Sequence, residues 1–338
     1  MTDFTKRSSA FVTGATGFLG YEIARQLIAR GVTVAALTRT GQLPGDLASS
    51  GVRAVRGDLD DAAALAAGLR GADVVFHVAA SVGMWRGHWA ESIRANVTGT
   101  RSLIDAALAA GVTGFVFTSS ASTIGKPLAA QNGEEVTVDE TTAYNLEPLQ
   151  MVYPHTKWLA EQEVLGAKAR GLAPVITHPT AIFGPCEWKL NLLPLFHAVK
   201  RGRLIAVPRG LRTTCDVRDV AKAHLDLAER GAAGERYILG GECVTMTDLC
   251  TRMAKVVGGR RPLFTIPNAA IRGLGTLADA LADLTGRAPL LSWEMAMQST
   301  FSARLSSDKA ARAIDYRSRP LDESLRDAAA WYRERGLL

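Results

Sequence analysis

A chain of 338 residues, 47% hydrophobic and 21% charged, is long enough to bury a large core and too apolar to stay disordered. Its net charge of +6 comes from Lys and Arg residues dispersed along the chain, without a long basic block or interleaved aromatics, which argues against a nucleic-acid partner. No apolar run reaches the ~18 residues that span a bilayer and no signal-peptide pattern opens the chain, so a cytoplasmic protein with no membrane partner is expected. The four cysteines, Cys186, Cys215, Cys243 and Cys250, lack C-x-x-C spacing, and neither a disulfide framework nor a metal site is expected.

In chain order, an apolar strand over 9–13 meets the turn Thr13-Gly14-Ala15-Thr16-Gly17-Phe18-Leu19-Gly20, and a helix over 18–30 follows with Ile23, Ala24, Leu27 and Ile28 at apolar spacing. Glycines let a pyrophosphate approach the backbone, and a helix start offers it free N–H groups and a positive dipole end. The spacing is G-x-x-G-x-x-G rather than G-x-G-x-x-G, and a plain glycine-rich turn is the alternative. A strand over 32–38 then runs into Thr38-Arg39-Thr40. An acid at that place holds an adenosine ribose, whereas a guanidinium suits a 2′-phosphate, so Arg39 points to NADP(H) over NAD(H). The alternative for Arg39 is a solvated loop arginine.

Further strands over 52–56, 73–78, 113–119 and 173–178 alternate with helices over 61–69, 91–110 and 151–169. Short, nearly continuous apolar strands in this rhythm predict an α/β fold, a doubly wound parallel Rossmann sheet covered on both faces. His77, on an apolar strand, reads as a core histidine. Tyr153 and Lys157, four apart at a predicted helix start, share one face, and Pro154 fits a first turn. A nearby ammonium favours the phenolate and moves Tyr153 toward useful acid/base range. The strand over 113–119 ends in Thr118-Ser119-Ser120-Ala121-Ser122, near the strand ends where such folds place ligands. After residue 178 the rhythm breaks at Pro179, Pro185, Pro194 and Pro208, and new helices begin at Met246.

Taken together, the Thr13–Gly20 turn, the Ser120 segment and the Tyr153/Lys157 pair make the chain resemble an extended short-chain dehydrogenase/reductase over nearly all its length. Within that superfamily it is most similar to dihydroflavonol-reductase-like and hopanoid-associated sugar-epimerase-like groups. The resemblance implies Ser120, with Ser122 in reserve, against the reacting oxygen, Tyr153 as proton donor, and Lys157 holding the nicotinamide ribose. Asp58 and Leu59 would meet the adenine, and Val78, Ala79 and Ala80 would let the cofactor cross the sheet edge beside Thr118. His178-Pro179-Thr180-Ala181-Ile182-Phe183-Gly184-Pro185 resembles R-P-x-x-x-[YF]-G-P, so Pro179, Thr180 and Ile182 would touch the nicotinamide amide. Histidine stands there in place of arginine, which leaves the role of His178 open. Asn96 would support the site or cap a helix.

The implied organisation is a Rossmann domain over 1–178, rejoined by 215–230, and a substrate lobe over 179–214 and 231–338. Ser81, Trp85, Phe183, Trp188 and Arg212 are candidate substrate contacts, with Trp89 and Trp293 further tryptophans of the same loops and lobe. Packing of the lobe is an equal alternative for each tryptophan. Ile271, Leu274, Leu277, Ala278, Leu281 and Leu284 have helical spacing. Core packing or a pocket wall is preferred there to a membrane-surface helix, because Asp279 and Asp283 offer nothing to anionic lipid.

The expected activity is NADPH-dependent reduction of an apolar or aromatic ketone or aldehyde by a homodimer, paired through 96–110 and 153–169. Rival readings are a nucleotide-sugar epimerase or dehydratase, a steroid-dehydrogenase-like alcohol oxidation, and a non-catalytic nucleotide sensor.

Overall fold

The computed structural model describes residues 8–126 and 136–338. Its first half runs β1 (Ser9–Thr13), α1 (Phe18–Ala29), β2 (Thr33–Thr38), β3 (Arg53–Arg56), α2 (Ala62–Leu69), β4 (Val74–His77), α3 (Trp89–Ser92), α4 (Gly99–Ala109), β5 (Gly114–Thr118), β6 (Val136–Val138), α5 (Val152–Gly166) and β7 (Ala173–Pro179). There follow β8 (Ala181–Phe183), α6 (Leu193–Lys200), β9 (Ala206–Pro208), β10 (Leu211–Asp216), α7 (Val217–Arg230), β11 (Arg236–Leu239), β12 (Cys243–Thr245) and α8 (Met246–Val257). The chain closes with β13 (Phe264–Ile266), α9 (Asn268–Thr285), α10 (Trp293–Ser299), β14 (Ala303–Leu305), α11 (Asp308–Ile314) and α12 (Leu321–Glu334).

Seven strands pair in parallel in the order β11-β7-β5-β4-β1-β2-β3. The order reverses between β1 and β4, and the carboxyl ends of those strands open the crevice where such sheets hold ligands. Alternate side chains face opposite layers. Ala10, Val12, Val34, Ala36, Val74 and Phe76 join Ile23 and Leu27 of α1 and Val220 and Leu227 of α7 in one core. Phe11, Ala35, Leu37, Val75, Phe115 and Phe117 join Leu65, Leu103, Ile104, Ala160 and Val164 in the other. Burial on both faces is why these strands read as unbroken apolar runs.

Phe183, Phe196, Leu249, Met253, Leu325 and Tyr332 form a separate core in the second half, beside the small sheet β12-β10-β8 and the pairs β13–β9 and β14–β6. The return of the chain to the large sheet reaches further than 215–230, because β11 pairs with β7 as its outer strand.

Two local features differ from expectation. The helix over 91–110 is interrupted by a π-helical stretch at Ile93–Thr98, a form that often marks functional sites. The helix α9 buries only Ile271, Gly275 and Ala282, so its leucines are neither core nor pocket wall. Leu274, Leu277, Leu281 and Leu284 are 52%, 59%, 55% and 84% exposed. The seam is made by small residues: a Cβ on Gly275 would meet Ala296 Cβ at 2.8 Å, so α9 lies close on α10 and turns its leucine row outward.

Candidate active site

The glycine turn is shaped by steric need. Gly14 has φ +80°, and a Cβ on it would lie 2.7 Å from the Ala79 nitrogen. At Gly20 the same atom would lie 2.2 Å from the Gly14 oxygen. No side chain caps α1 at Gly17 and no acid stands in its first turn, so its free N–H groups and positive dipole end face the crevice. Thr13 is fully buried, with Oγ1 2.8 Å from His77 Nδ1 and accepting from the Val78 and Ala79 nitrogens at 3.2 and 3.3 Å. It therefore braces the end of β4 from behind rather than lining the cleft, a correction to its place among the cofactor contacts. His77 is a core histidine, its second ring nitrogen 2.8 Å from Thr100 Oγ1, and burial lowers its pKa to about 3.

A cleft of about 640 Å³ opens over the carboxyl ends of the strands. Its walls contain Gly14, Thr16, Gly17, Phe18, Leu19, Gly20, Arg39, Asp58, Leu59, Val78, Ala79, Ala80, Ser81 and Thr118, together with Ser120, Tyr153, Lys157, Pro179, Thr180 and Ile182. Residues brought from six strand ends, the starts of α1 and α5 and the second half of the chain thus meet in one space. The sequence reading had not singled out Arg94, Lys189 or Asn191, which also line it. Arg94 lies in the π-helical stretch and Lys189 and Asn191 in the irregular chain before α6, and none of the three belongs to a local motif.

Six expected residues stand elsewhere. Besides Thr13, Ser122 lies behind Ser120, donating to its Oγ at 2.9 Å from the side chain and 3.2 Å from the backbone. That arrangement selects Ser120 as the serine on the wall. Trp85 packs edge-on against His88, with ring centroids 5.4 Å apart. Trp188 is wedged between Tyr21 and Trp331 at 5.7 and 5.3 Å, and Phe183 is core. Arg212 donates to the backbone oxygens of Leu211 and Gln298 at 3.1 and 2.8 Å, which uses its guanidinium inside the lobe. Trp89 stacks on His155 and Trp293 packs near Leu146, Met151 and Phe301.

Within the cleft, burial raises the Tyr153 phenol above its ordinary pKa, against a hydrogen bond with Ser120 that lowers it, while the Glu294 carboxylate raises it further. The expected lowering by Lys157 is not met. Lys157 donates Nζ to the Thr118 oxygen at 2.7 Å and sits 4.2 Å over the Phe117 ring, and burial itself brings its pKa down to about 7. Lys157 is not among the groups that lower the phenol.

Three supports hold these groups. Asn96 is no cap: its side chain accepts from the Ser81 nitrogen at 2.7 Å and donates to the Ser81 oxygen at 3.0 Å and to Thr156 Oγ1 at 2.9 Å. It ties the loop after β4 to α5. His178, in a place where arginine was expected, is fully buried and lies 2.9 Å from Glu161. Glu161 also accepts from Ser119 at 2.8 Å and Thr123 at 3.2 Å; against burial, His178 and Ser119 hold it at about 2. This buried pair anchors the Ser120 segment to α5 and keeps His178 off the cleft. The third is Glu294 of α10, whose carboxylate accepts from the Val152 nitrogen at 2.6 Å and the Tyr153 nitrogen at 3.1 Å. It caps the helix that carries Tyr153, and burial raises it to about 7.

The model of the NAD dependent epimerase/dehydratase family matches residues 10–240. The chain belongs to that family, the extended short-chain dehydrogenases/reductases. This dehydrogenase/reductase is 31% identical to sterol demethylase protein B of Methylococcus capsulatus, covering 98% of the chain and 100% of the relative. It is 33% identical to 4-hydroxy-2-methyl-3-oxo-4-farnesyl-3,4-dihydroquinoline-1-oxide ketoreductase of Stigmatella aurantiaca, over 94% of each. Among solved structures, the crystal structure of gox2253 is similar with a TM-score of 0.84 and 32% identity over 98% and 99% of the two chains. The protein is therefore an NAD(P)-dependent oxidoreductase with the Rossmann fold. No helix among the described residues is long and apolar enough to cross a membrane.

Proposed function

We propose that this reductase uses NADPH to reduce an apolar or aromatic ketone or aldehyde to an alcohol. The observation that carries the reading is the convergence of Ser120, Tyr153 and Lys157 on one cleft with the glycine turn. A dinucleotide suits that turn, since Gly14, Gly17 and Gly20 line the cleft at the start of α1, which has no side-chain cap and no acid in its first turn to compete with a pyrophosphate. Arg39 stands on the cleft wall at the end of β2, where its planar donors suit a 2′-phosphate. The bound cofactor supplies a hydride.

Tyr153, whose raised pKa keeps it protonated at neutral pH, gives its proton to the carbonyl oxygen as negative charge builds there. Ser120 donates to the same oxygen and polarises it. Lys157 lies one turn along α5, holds the ribose and, when charged, stabilises the phenolate that remains. The segment Ser119-Ser120-Ala121-Ser122 has no acid to perform the elimination step of a dehydratase. The apolar substrate class is supported by the two relatives, whose names give a sterol and a farnesylated quinoline oxide.

Tyr153→Phe is expected to lose at least about a hundredfold in turnover of a ketone panel, the usual scale of a lost general acid, with NADPH binding within twofold of the parent by fluorescence titration. Undiminished turnover in that variant would remove Tyr153 from the mechanism. Tightly retained NAD in the purified protein, with no preference for the phosphate, would replace the reductase reading by epimerisation.

A further inference from the structure

Cations scattered along the sequence are gathered by the fold. There are six Lys or Arg and no Asp or Glu between residues 189 and 215, and five and none between 249 and 278. The two stretches meet where α6 ends and β9 pairs with β13: Phe264 is opposite Ala206, the Leu263 nitrogen donates to the Ile205 oxygen at 2.8 Å, and the Arg260 nitrogen to the Val199 oxygen at 3.2 Å. Lys200, Arg201, Arg203, Arg260 and Arg261 are all exposed around this seam. None of the five makes an ion pair among the described residues. Between them stand three apolar side chains, Ile205, Leu263 and Phe264, exposed by 54%, 77% and 60%.

We propose that this seam is a peripheral docking surface for an anionic bilayer. Unpaired cations attract acidic headgroups, and protruding leucine and phenylalanine side chains gain by entering the acyl boundary. Nucleic acid would use the charges but leave the apolar tips without a partner, and tips protruding among unpaired cations match the boundary between acidic headgroups and acyl chains, which favours lipid. The helix α9 starts two residues beyond β13 and brings its exposed leucine row into the same lobe. The acids that argued against lipid do not compete: Asp283 is paired with Arg86, and an oxygen of Asp279 is buried. The seam is distinct from the cleft, none of whose wall residues it contains.

The test is flotation of the intact protein with phosphatidylcholine vesicles, with and without one-third phosphatidylserine, at low and physiological salt. Binding is expected only to the anionic vesicles, weakening with salt. Arg260→Glu with Arg261→Glu should cut the partition coefficient at least about tenfold, and Leu263→Ser with Phe264→Ser should reduce it at physiological salt, both pairs keeping NADPH affinity and melting temperature as evidence of folding. Equal or absent binding to the two vesicle types overturns the proposal. So does capture of duplex DNA, or a concentration-dependent dimer abolished by the Leu263/Phe264 pair, when vesicles are not bound.

Discussion

At the scale of single residues, the tightest constraint is Gly20. Its missing side chain lets the first turn of α1 rest on the Gly14 carbonyl, and a methyl there would overlap an oxygen at 2.2 Å. Backbone cannot rotate away as a flexible side chain can, so Gly20→Ala must displace α1 or the turn. Overpacking of this kind costs about 1–3 kcal/mol. The expected outcome is a lowered melting temperature with NADPH binding weakened at least tenfold, read by thermal unfolding and fluorescence; unchanged affinity would show that the turn does not hold the dinucleotide. Residues of this kind were legible in the sequence because their chemistry is local. Three glycines in seven positions, or Tyr and Lys four apart, keep their relation wherever the fold carries them. Trp85, Phe183, Trp188 and Arg212 were not legible in the same way. Their surroundings are set by partners such as Tyr21, Trp331 and Gln298, which no spacing rule connects to them, and a tryptophan fits a core as readily as a pocket.

At the scale of elements, α5 shows what the sequence could not reveal. Its N-cap, Met151, provides no side-chain bond, so its first N–H groups need an acceptor from outside. Glu294 supplies it from α10, 142 and 141 positions along the chain from the groups it caps. The pattern of α5 alone reveals an uncapped start, not the partner. Burial raises Glu294 from 4.5 to about 7 against the two N–H bonds and Gln298, with Asp279 adding to the rise. A carboxyl with a raised folded pKa binds its proton more tightly in the native state. Its contribution to stability is thus fully present below about 4.5 and is lost as pH rises through about 7. Glu294→Gln keeps the acceptor oxygen and removes the titration. It should flatten the fall in unfolding free energy between pH 5 and 8, by at most about 2–3 kcal/mol, as followed in urea unfolding at fixed pH steps. The same change removes a carboxylate that raises Tyr153, so the alkaline limb of the pH–rate profile should move to lower pH. A uniform loss of stability at every pH, with an unmoved rate profile, would reduce Glu294 to a structural cap.

At the scale of the whole molecule, the doubly wound parallel sheet was readable because each of its apolar runs up to β7 and each intervening helix announced itself along the chain, whereas β11 did not. The second half was less so, since its strands are three to six residues long and pair with distant segments, as β14 does with β6. That half nevertheless completes the site, contributing Lys189 and Asn191 to the cleft and Glu294 to α5. A ligand that spans the glycine turn, Arg39 and the Pro179–Ile182 segment binds only the folded arrangement, so it stabilises the native state by mass action. At a concentration 100 times the dissociation constant that gain is about 2.7 kcal/mol, equivalent to a rise of several degrees in melting temperature. If Arg39 reads a 2′-phosphate, NADPH should give this rise at micromolar concentration and NADH should need at least tenfold more. Arg39→Ala should bring the two titrations together by weakening NADPH alone, because the adenine, pyrophosphate and nicotinamide contacts are common to both. Equal shifts for both nucleotides in the parent protein would instead assign Arg39 to solvent and leave the glycine turn as the main determinant of binding.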